Sequence, residues 1–312
     1  MPISIQPSVA ILLCTYQGEE FLSAQLNSIA RQTHPHWQVW ASDDGSRDAT
    51  LKMLAQYHTE WGDALLCVVE GPGKGFVANF LSLVCNPAVR ADYFAYADQD
   101  DLWEADKLER ALAWLATVPS GQPALYMSRT RLIDEAGKDI GFAPLFTSRP
   151  PTFANAIVQN IGGGNTMVFN AAAREVIAAG TRDTSMVAHD WWSYMLITGA
   201  GGVAHYDTYP SVRYRQHGAN VHGSNAGLLN RLWRAVLVFG GRFRSWSDRN
   251  IRSLSPVRDL LTPENQRIFD NFNAARRGSL PARLLALRRS GVHRQGFVDN
   301  IGLYVAALFN RL

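Results

Sequence analysis

The chain has 312 residues, of which 47% are hydrophobic, 11% aromatic and 18% charged. This composition is too apolar for a disordered protein, and three cysteines are too few for a small disulfide-stabilised secreted scaffold. The net charge of +3 conceals an asymmetry, because residues 227–312 hold 15 arginines and five acidic residues, whereas residues 1–226 hold 15 basic and 22 acidic residues. The sequence therefore predicts an acidic body followed by an arginine-rich tail.

The cysteines and the N-terminus indicate the compartment. Cys14, Cys67 and Cys85 lie in apolar runs without a CxxC pair, so we expect buried free thiols in a reducing environment. The N-terminal sequence MPISIQP lacks the basic and apolar regions of a signal peptide. No uninterrupted apolar run reaches the roughly 18 residues of a transmembrane helix. These features predict a cytoplasmic protein.

Strand and helix patterns alternate through the first part of the chain. Short apolar runs predict strands, and apolar residues three to four apart predict helices between them. This order predicts an α/β fold with an open, mostly parallel sheet flanked by helices. The predicted strands are Val9–Cys14, Trp37–Ala41, Leu65–Val69 and Tyr93–Ala97, and the predicted helices are Phe21–Ile29, Thr50–Tyr57, Phe76–Val84 and Leu102–Leu115.

Polar residues follow three of these strands, where open α/β sheets bind their ligands. Thr15 and Tyr16 follow the first strand, Asp43 and Asp44 the second, and the sequence Asp98-Gln99-Asp100-Asp101 the fourth. Three acids in four residues repel one another unless a cation lies among them, and Mg²⁺ or Mn²⁺ takes oxygen ligands that it shares with phosphates. The segment therefore indicates either a metal–diphosphate site or an acidic cap on the helix predicted at Leu102–Leu115.

Several motifs together resemble the family 2 glycosyltransferases of the GT-A fold, and within them the rhamnosyltransferase-like members that build bacterial surface polysaccharides. The resemblance extends over roughly residues 7–225. Its motifs are VAILLCTY, SDDGSRD, ADQDDLW with Lys107-Leu108, NIGGGNT at 160–166, AHDWW at 188–192 and YRQHGAN at 214–220.

The resemblance implies a divalent cation, Mn²⁺ or Mg²⁺, that neutralises the departing diphosphate of a sugar nucleotide. Its ligands would be Asp98 and Asp100, with His217 as a further metal or phosphate ligand, and Asp98 would also contact the nucleotide. Asp101 would support this site or contact the sugar. Imidazole with carboxylates suits Mn²⁺ somewhat better than Mg²⁺.

The resemblance also places the general base at Asp190. The family has an acidic pair at this position, whereas this chain has His189-Asp190, so His189 is a rival for the role. The alternative for Asp190 is to cap a helix at Trp191–Ile197. Trp191 and Trp192 would offer an apolar face to a sugar ring, and core packing is their alternative role.

Family members bind the nucleotide beyond the first two strands, which implies a site at Thr15, Tyr16 and the Asp43/Asp44 turn, with either aspartate on the base. Lys74, in the loop Gly71–Gly75, would be a cation near the nucleotide, and this loop fits neither Walker A nor GxGxxG. Asp and Gly also form plain turns, so the Asp43/Asp44 segment has that alternative. Gly163 and Gly164 would lie beneath the donor sugar, or else form a flexible connector.

The arginine-rich tail begins where the resemblance ends, so we predict a catalytic domain at 1–226 and a basic, mainly helical extension at 227–312. Apolar stripes flanked by arginines, as at 228–237 and at Phe297–Phe309, are typical of helices in a membrane interface. The alternatives are packing on the catalytic domain or pairing of two subunits into a homodimer. Nucleic acid is not an expected partner, because no binding motif accompanies the charge.

The sequence as a whole predicts an inverting, metal-dependent glycosyltransferase. Its donor would be a nucleoside-diphosphate sugar linked to dTDP or UDP, with dTDP-rhamnose favoured by the resemblance. Its acceptor would be a hydroxyl of a surface-polysaccharide or lipid-linked glycan, reached in the cytoplasm or at the inner face of the cell membrane. The alternative is a non-catalytic protein that binds nucleotide sugars or glycans and keeps the fold. A sugar-nucleotide-forming nucleotidyltransferase is disfavoured, because no glycine-rich basic loop follows the first strand.

Overall fold

A computed structural model describes residues 6–218 and 241–312 of the chain. The nine strands of the described part form one sheet. They are β1 (Val9–Thr15), β2 (Trp37–Asp43), β3 (Leu66–Glu70), β4 (Tyr93–Asp98), β5 (Leu102–Trp103), β6 (Ala124–Ile133), β7 (Asp139–Phe142), β8 (Val168–Asn170) and β9 (Val203–Arg215).

Eleven α-helices surround the sheet in the described residues. Seven of them come from the body of the chain: α1 (Leu22–Ala30), α2 (Thr50–Trp61), α3 (Phe76–Cys85), α4 (Lys107–Leu115), α5 (Phe153–Ala156), α6 (Ala171–Gly180) and α7 (His189–Gly199). The other four are α8 (Arg242–Leu254), α9 (Pro263–Ala275), α10 (Leu280–Ser290) and α11 (Phe297–Leu308).

The central strand β1 explains why the sheet is covered on both faces. All seven residues of β1 are buried, and successive side chains of a strand point to opposite faces. Val9, Ile11 and Leu13 therefore enter one hydrophobic core, which they share with α1 and α4. Ala10 and Leu12 enter the other core, which they share with α3, α6 and α7. The continuous apolar run is thus the signature of a strand between two helical layers.

The strand order is β3-β2-β1-β4-β8-β6-β9-β5, and β7 pairs with β6. The first four strands are parallel, as predicted. The other half is mixed, because β8 is antiparallel to both β4 and β6, whereas β9 is parallel to β6. It follows that β1, β2, β4 and β9 all run in one direction and end at the same edge of the sheet, where the chain also enters β8.

Two local predictions differ from the structure. No helix begins at Leu102, because Leu102 and Trp103 pair with β9 as strand β5, and α4 begins only at Lys107. The acidic segment after β4 is therefore not the cap of that helix. All three cysteines are free, as expected, but only Cys14 is buried. Cys67 is partly exposed because β3 is at the end of the sheet, and Cys85 is exposed as the last residue of α3.

The C-terminal helices pack against the same face of the sheet as α3 and α7. Phe243 of α8, Phe269 and Phe272 of α9 and Leu303 of α11 belong to one hydrophobic cluster with Trp192. The helical character predicted for the tail is therefore present in residues 241–312. The apolar stripe predicted at 228–237 and the last two residues of the YRQHGAN motif lie outside the described residues.

Helix α11 keeps the apolar face predicted from the sequence. Phe297, Ile301, Tyr304 and Leu308 are exposed, and their spacing of three to four residues places them on one side of the helix. Among the helices in the described ranges, none combines the length and the hydropathy that crossing a bilayer would take.

Candidate active site

The polar residues predicted after the strands meet at the shared edge of the sheet. Thr15 lies opposite Asp43 in the β1–β2 pairing, and Cys14 lies opposite Asp98 in the β1–β4 pairing. Strand β9 brings Arg215 and the following His217 to the same edge. The loop Gly162–Gly164 also lies there, because it leads into β8, which runs in the opposite direction. The direction of the strands therefore assembles the site from segments more than 200 residues apart.

The turn after β2 is fixed by its own first aspartate. Asp43 is only 4% exposed, and its carboxylate accepts hydrogen bonds from the Thr15 hydroxyl (2.8 Å) and from the backbone N–H groups of Gly45 (3.1 Å) and Ser46 (2.8 Å). The Ser46 hydroxyl donates to it as well (2.6 Å). The side chains of Thr15 and Asp43 therefore shape the turn, and their contact with a nucleotide stays a prediction.

Asp44 holds the loop between β3 and α3. One carboxylate oxygen accepts from the N–H of Gly73 and the other from the N–H of Gly75, both at 2.7 Å. Gly73 and Gly75 have φ values of +64° and +86°, a region that side chains disfavour, so glycine allows the loop to fold over the aspartate. Between them, Lys74 is exposed at the rim of the site.

The exposed side chain of Tyr16 is presented by Gln99 from the acidic motif. The Gln99 amide accepts from the N–H of Tyr16 (2.8 Å) and donates to its carbonyl (2.9 Å), which binds the loop after β1 to the loop after β4. Tyr16 is 60% exposed, an unusual state for a large aromatic side chain in a loop at the sheet edge. A surface aromatic ring on a fixed backbone is suited to contact a ligand.

Asp98 and Asp100 carry the negative charge of the site. Removal from water and the neighbouring charges of Asp100 and Asp190 together raise the pKa of Asp98 to about 8. Asp100 contacts His217, whose Nε2 lies 2.8 Å from Oδ2 of the carboxylate. Three carboxylates and an imidazole are thus close enough to influence one another.

Asp101 is part of the supporting structure, not of the open site. It is fully buried, and its oxygens accept from the Asn165 amide (2.6 Å) and from the backbone N–H of Arg215 (3.1 Å). A sugar cannot reach it, so the sugar-contacting alternative is wrong. Burial raises the pKa of Asp101 well above its usual range, with the charges of Asp100 and Asp98 adding to the effect.

Lys107 is a fully buried cation on the inner side of this cluster. Its Nζ lies 4.1 Å from the centroid of the Trp103 ring, a distance typical of a cation–π contact. Burial lowers the pKa of Lys107 to about 7, and the negative charge of Asp101 opposes that shift.

Asp190 lies in the first turn of α7 and contacts the glycine loop. The helix begins at His189 and has Ala188 at its N-cap, so Asp190 is not the N-cap residue. One oxygen of Asp190 accepts from the N–H of Trp191 (2.6 Å), and the other accepts from the N–H of Gly164 (3.0 Å). Gly164 is buried against this helix and holds the aspartate, which replaces its predicted contact with a sugar, whereas Gly163 is exposed.

The His189 side chain is buried in the core behind the glycine loop. It is 4% exposed and stacked on Phe80, with ring centroids 3.8 Å apart and the edge of Tyr96 against it. Neither ring nitrogen has a hydrogen-bond partner among the described residues, and burial lowers the pKa of His189 to about 3. It is therefore packed as a neutral ring, and its predicted roles as base and as sugar contact are wrong.

The two tryptophans of the AHDWW motif belong to the core. Trp192 is 0% exposed, and Trp191 donates its indole N–H to the carbonyl of Ala156 at 2.6 Å. The edge of Trp246 also meets the Trp191 ring, with centroids 5.9 Å apart. Core packing, their alternative role, therefore holds for both, and Trp191 meets the C-terminal part of the chain through Trp246.

The donor chemistry at the sheet edge fits a divalent cation, although the donors are not arranged as a preformed site. Within residues 6–218 and 241–312, no group of three or more His, Cys, Asp or Glu side chains has metal-binding geometry. Asp98 and Asp100 nevertheless offer carboxylate oxygens beside the imidazole of His217, and burial together with repulsion from Asp100 and Asp190 raises the pKa of Asp98. A cation would relieve that repulsion.

The amino-acid sequence that forms this site also shows the family of the chain. Residues 10–176, more than half of the chain, match the model of glycosyl transferase family 2. The chain belongs to glycosyl transferase family 2. It is therefore a glycosyltransferase, and the family predicted from the motifs is confirmed.

This family 2 glycosyltransferase has a similar sequence to a rhamnosyl transferase and a similar fold to two solved enzymes. It is 27% identical to the dTDP-rhamnosyl transferase RfbG of Shigella flexneri over 237 residues, which are 72% of this chain and 78% of that protein. The structure of S. aureus TarS 1-349 in complex with UDP-GlcNAc superposes with a TM-score of 0.53 at 14% sequence identity. The match covers 91% of this chain and 90% of TarS 1-349. The structure of the mannosyltransferase PcManGT from Pyrobaculum calidifontis, in complex with GDP-Man and Mn²⁺, superposes with a TM-score of 0.52 at 20% sequence identity. The match covers 99% of this chain and 86% of PcManGT. The predicted GT-A fold is thereby confirmed.

Three residues of the family 2 site were not singled out from the sequence. Gln99 lies inside ADQDDLW, Asn165 inside NIGGGNT and Arg215 inside YRQHGAN, and none of them has a role predicted from the sequence. Arg215 is 5% exposed, donates to the carbonyls of Asp100 (3.0 Å) and Glu135 (2.6 Å), and lies over the Phe21 ring. Their signal was a polar side chain inside an otherwise apolar or acidic motif, which commonly marks a buried hydrogen-bond partner.

Proposed function

We propose that the protein transfers a sugar from a nucleoside diphosphate to an acceptor hydroxyl with inversion at the anomeric carbon, and that Asp190 is the general base. The observation that carries this proposal is the position of Asp190. Its carboxylate is held by the N–H of Gly164 at the start of α7, close enough to Asp98 for their charges to interact. A single displacement at the anomeric carbon requires a base for the acceptor hydroxyl and a group that stabilises the leaving diphosphate. Asp190 and the pair Asp98 and Asp100 would supply these at one edge of the sheet.

In this reaction the acceptor oxygen forms a bond to the anomeric carbon while the bond from that carbon to the diphosphate breaks. The electron pair of the broken bond leaves with the diphosphate, and the hydroxyl proton goes to the Asp190 carboxylate. The two hydrogen bonds that Asp190 accepts fix its orientation before the acceptor arrives. Pre-positioning of this kind lowers the entropic cost of reaching the transition state.

Asp98, Asp100 and His217 are the residues that would hold a divalent cation, Mn²⁺ or Mg²⁺. Such a cation, when bound, supplies positive charge that stabilises the leaving diphosphate. Asp101, Asn165 and Arg215 keep the segment in place from below through buried hydrogen bonds. PcManGT, which shares the fold, has been solved with GDP-Man and Mn²⁺, and this supports the assignment.

The nucleotide would lie on the edge formed by Tyr16, Asp44 and Lys74. The Tyr16 ring is exposed on a backbone fixed by Gln99, and Asp44 is the partly exposed acid of the turn. We therefore assign any contact with the base to Asp44, since Asp43 is buried and fully hydrogen-bonded. Exposed Gly163, one residue before the N–H that holds Asp190, would lie under the donor sugar.

The donor favoured by the comparisons is dTDP-rhamnose. The relative in Shigella flexneri carries the name dTDP-rhamnosyl transferase, and it matches across most of both chains. A UDP-linked sugar is the second candidate, because TarS, which shares the fold, has been solved with UDP-GlcNAc. The acceptor would be a hydroxyl of a surface-polysaccharide or lipid-linked glycan.

The exposed stripe of α11 supports a place at the inner face of the cell membrane. Residues 241–312 hold 13 arginines and five acidic residues, so this part of the molecule carries a net charge of +8. Two copies of such a surface repel each other, whereas anionic lipid attracts it. We therefore propose that the stripe of Phe297, Ile301, Tyr304 and Leu308 contacts a lipid surface. The alternative is that the stripe contacts a second copy of the chain in a homodimer.

The test combines donor binding with the loss of the base. Wild-type protein is mixed with dTDP-rhamnose, UDP-GlcNAc or GDP-mannose in Mn²⁺, Mg²⁺ or EDTA, and binding is followed by thermal shift and slow donor hydrolysis by chromatography. Asp190→Asn should reduce hydrolysis and transfer by about 100-fold or more while donor binding is retained, because general-base catalysis commonly contributes about 10²–10⁴. The matched control is Asp259→Asn, which changes an exposed aspartate of the C-terminal part.

Three results would contradict the proposal. If none of these nucleotide sugars binds under any metal condition, the proposed donor site and its metal ligands are wrong. If a sugar nucleotide binds but neither hydrolysis nor transfer occurs in the wild type with a panel of glycan acceptors, the non-catalytic alternative takes its place. Loss of donor binding in a folded Asp190→Asn variant would assign Asp190 to the donor instead.

A further inference from the structure

A second concave site adjoins the candidate active site on the side of the C-terminal helices. It has a volume of about 410 Å³ and lies between the start of α3 and the helix α8. Small-molecule sites commonly measure roughly 300–1,000 Å³, so one ligand group of moderate size fits. The lining residues that matter here are Lys74, Phe76, Val187, Arg242, Trp246 and Arg249.

The charge of this cavity is of one sign. Lys74, Arg242 and Arg249 line it, and none of the described residues that line it is acidic. In the described parts of the chain, none of these three cations forms an ion pair with a carboxylate. Uncompensated positive charge in a concave surface attracts anions and concentrates them there.

Two of the cations are fixed in place before any ligand arrives. Arg249 donates from Nε to the carbonyl of Ser185 (2.8 Å) and from Nη2 to the carbonyl of Met186 (2.6 Å). The guanidinium of Arg242 lies over the Trp246 ring, 4.6 Å from its centroid. Arginines held in this way lose little side-chain entropy on binding, which favours affinity.

The cavity lies beside the start of α7, the helix that carries the proposed base, and none of its lining residues belongs to the acidic motif. Val187, which lines it, comes three residues before Asp190, and the Phe76 ring meets the ring of His189 with centroids 6.1 Å apart. The diphosphate of the donor belongs with Asp98 and Asp100 in the proposed function. An anion in the cavity would therefore belong to the molecule that approaches Asp190, which is the acceptor.

We propose that this cavity binds a phosphate group carried by the acceptor and so directs the acceptor hydroxyl toward Asp190. The inference rests on the proposed function, because it takes Asp190 as the acceptor side of the site. A phosphate monoester matches Arg242 and Arg249, with Lys74 between this cavity and the nucleotide edge, and the apolar parts of Phe76, Val187 and Trp246 match the sugar or lipid that carries it. The bearer is either a sugar or an isoprenoid chain, and both present the same group.

The experiment measures binding in the full chain with the nucleotide site filled. Isothermal titration calorimetry in saturating dTDP and Mn²⁺ follows glucose 1-phosphate, farnesyl phosphate, inorganic phosphate and glucose as probes. One equivalent of a phosphate monoester should bind, and glucose should not. Arg242→Ala should weaken binding about tenfold, because a charged hydrogen bond to the phosphate is lost, and Arg242→Lys should restore part of it.

The control is Arg252→Ala, because Arg252 is exposed on the same helix and does not line the cavity. It should leave binding within about twofold of the wild type, as surface changes away from a site usually do. Preference for glucose 1-phosphate or for farnesyl phosphate would identify the bearer, and equal binding of inorganic phosphate would reduce the proposal to a free-anion site.

Absence of phosphate binding, or equal weakening by Arg242→Ala and Arg252→Ala, would overturn the inference. Nucleotide binding is measured in the same samples, so failure of the proposed function is distinguishable. If dTDP itself does not bind, the donor assignment fails. If dTDP binds and the phosphate monoester does not, only the acceptor inference fails.

Discussion

His189 and Asp190 are neighbours in sequence, yet their surroundings at the start of α7 are opposite. Asp190 faces the sheet edge and accepts from the N–H of Gly164, whereas His189 is stacked on Phe80 inside the core. Consecutive residues of a helix lie about 100° apart around its axis, so one turns outward and the next inward. A buried neutral imidazole beside the proposed base adds no charge to the site.

The buried imidazole predicts a pH effect on stability. The pKa of His189 is lowered to about 3 in the folded protein, below the ordinary value of about 6.5 in the unfolded chain. As the pH falls below about 6.5, the imidazole is protonated in the unfolded chain but stays neutral in the folded protein. The free energy of unfolding therefore decreases. His189→Leu removes this contribution and should reduce the slope of unfolding free energy by about 1.4 kcal/mol per pH unit between pH 6 and pH 4.

Urea denaturation of wild type and His189→Leu at pH 4, 5, 6 and 7 measures that slope. The difference between the two proteins isolates His189, because all other titrating groups are common to both. Parallel stability curves would mean that the imidazole is charged, or reaches water, in the folded state.

At the scale of elements, the approach of the glycine loop to α7 is the contact on which the site depends. A Cβ on Gly164 would lie 2.6 Å from Nε2 of His189 and 3.4 Å from Cβ of Asp190, so any side chain there pushes the loop and the helix apart. The N–H that holds Asp190 belongs to the same residue.

Gly164→Ala should therefore reduce transfer about tenfold or more, since small displacements of a catalytic group cost large factors in rate. Binding of dTDP alone should change little, because the proposed contacts of the nucleotide are Tyr16, Asp44 and Lys74, outside this loop. The control is Gly121→Ala, where an added Cβ meets nothing within 4 Å. Equal kinetics for the two variants would show that the loop and α7 adjust freely.

The exposed apolar stripe of α11 predicts that the protein binds to anionic lipid vesicles. Replacing Phe297 and Ile301 together by Ser should lower cosedimentation with vesicles containing phosphatidylglycerol by about tenfold, because both side chains are exposed on the apolar stripe. Leu51→Ser, which changes an exposed leucine of α2, is the control and should bind as the wild type does.

Varying the salt concentration and the lipid charge distinguishes membrane binding from formation of a homodimer. Binding should fall with added salt and with neutral phosphatidylcholine vesicles, since arginines supply part of the attraction. Unchanged vesicle binding in the double variant would remove the stripe from the lipid contact. A wild-type dimer by light scattering that becomes a monomer in the double variant would assign the stripe to a second copy.

For the molecule as a whole, the described C-terminal helices complete the core. Leu261 packs on Gly199, the N–H of Thr262 donates to the carbonyl of Gly199 (2.9 Å), and the Asn265 amide donates to the carbonyls of Thr198 and Gly199. The end of α7 is thus closed by residues far along the chain. The boundary proposed at 226 separates a family-like part from a basic part, but the two share one hydrophobic cluster.

A chain that ends at residue 240 should therefore fail to fold on its own. It would expose the apolar residues that Phe243, Phe269, Phe272 and Leu303 cover, and such a surface leads to aggregation. Soluble yield, gel filtration and thermal unfolding of residues 1–240 beside the full chain measure this. A monomeric 1–240 protein with cooperative unfolding would make the first part an independent domain.

Local patterns determined much of this protein. The run Val9–Cys14 predicted a strand covered on both sides, and the order of strands and helices predicted an α/β sheet whose edge gathers Asp98 and Asp100, whereas the resemblance added Asp190. These signals are local, because periodicity and strand ends depend on residues near in sequence. The motifs predicted the family for the same reason.

Only the tertiary structure decided which of the candidate residues are open to a ligand. Trp192, Asp101 and His189 carry the residue types of a binding site, yet all three are buried, and Leu102 is taken from a predicted helix into pairing with β9. Burial and pairing are set by partners distant in the chain, such as Arg215 for Asp101 and the C-terminal helices for Trp191. The sequence therefore determined the chemistry available to the site, and long-range packing determined which side chains can use it.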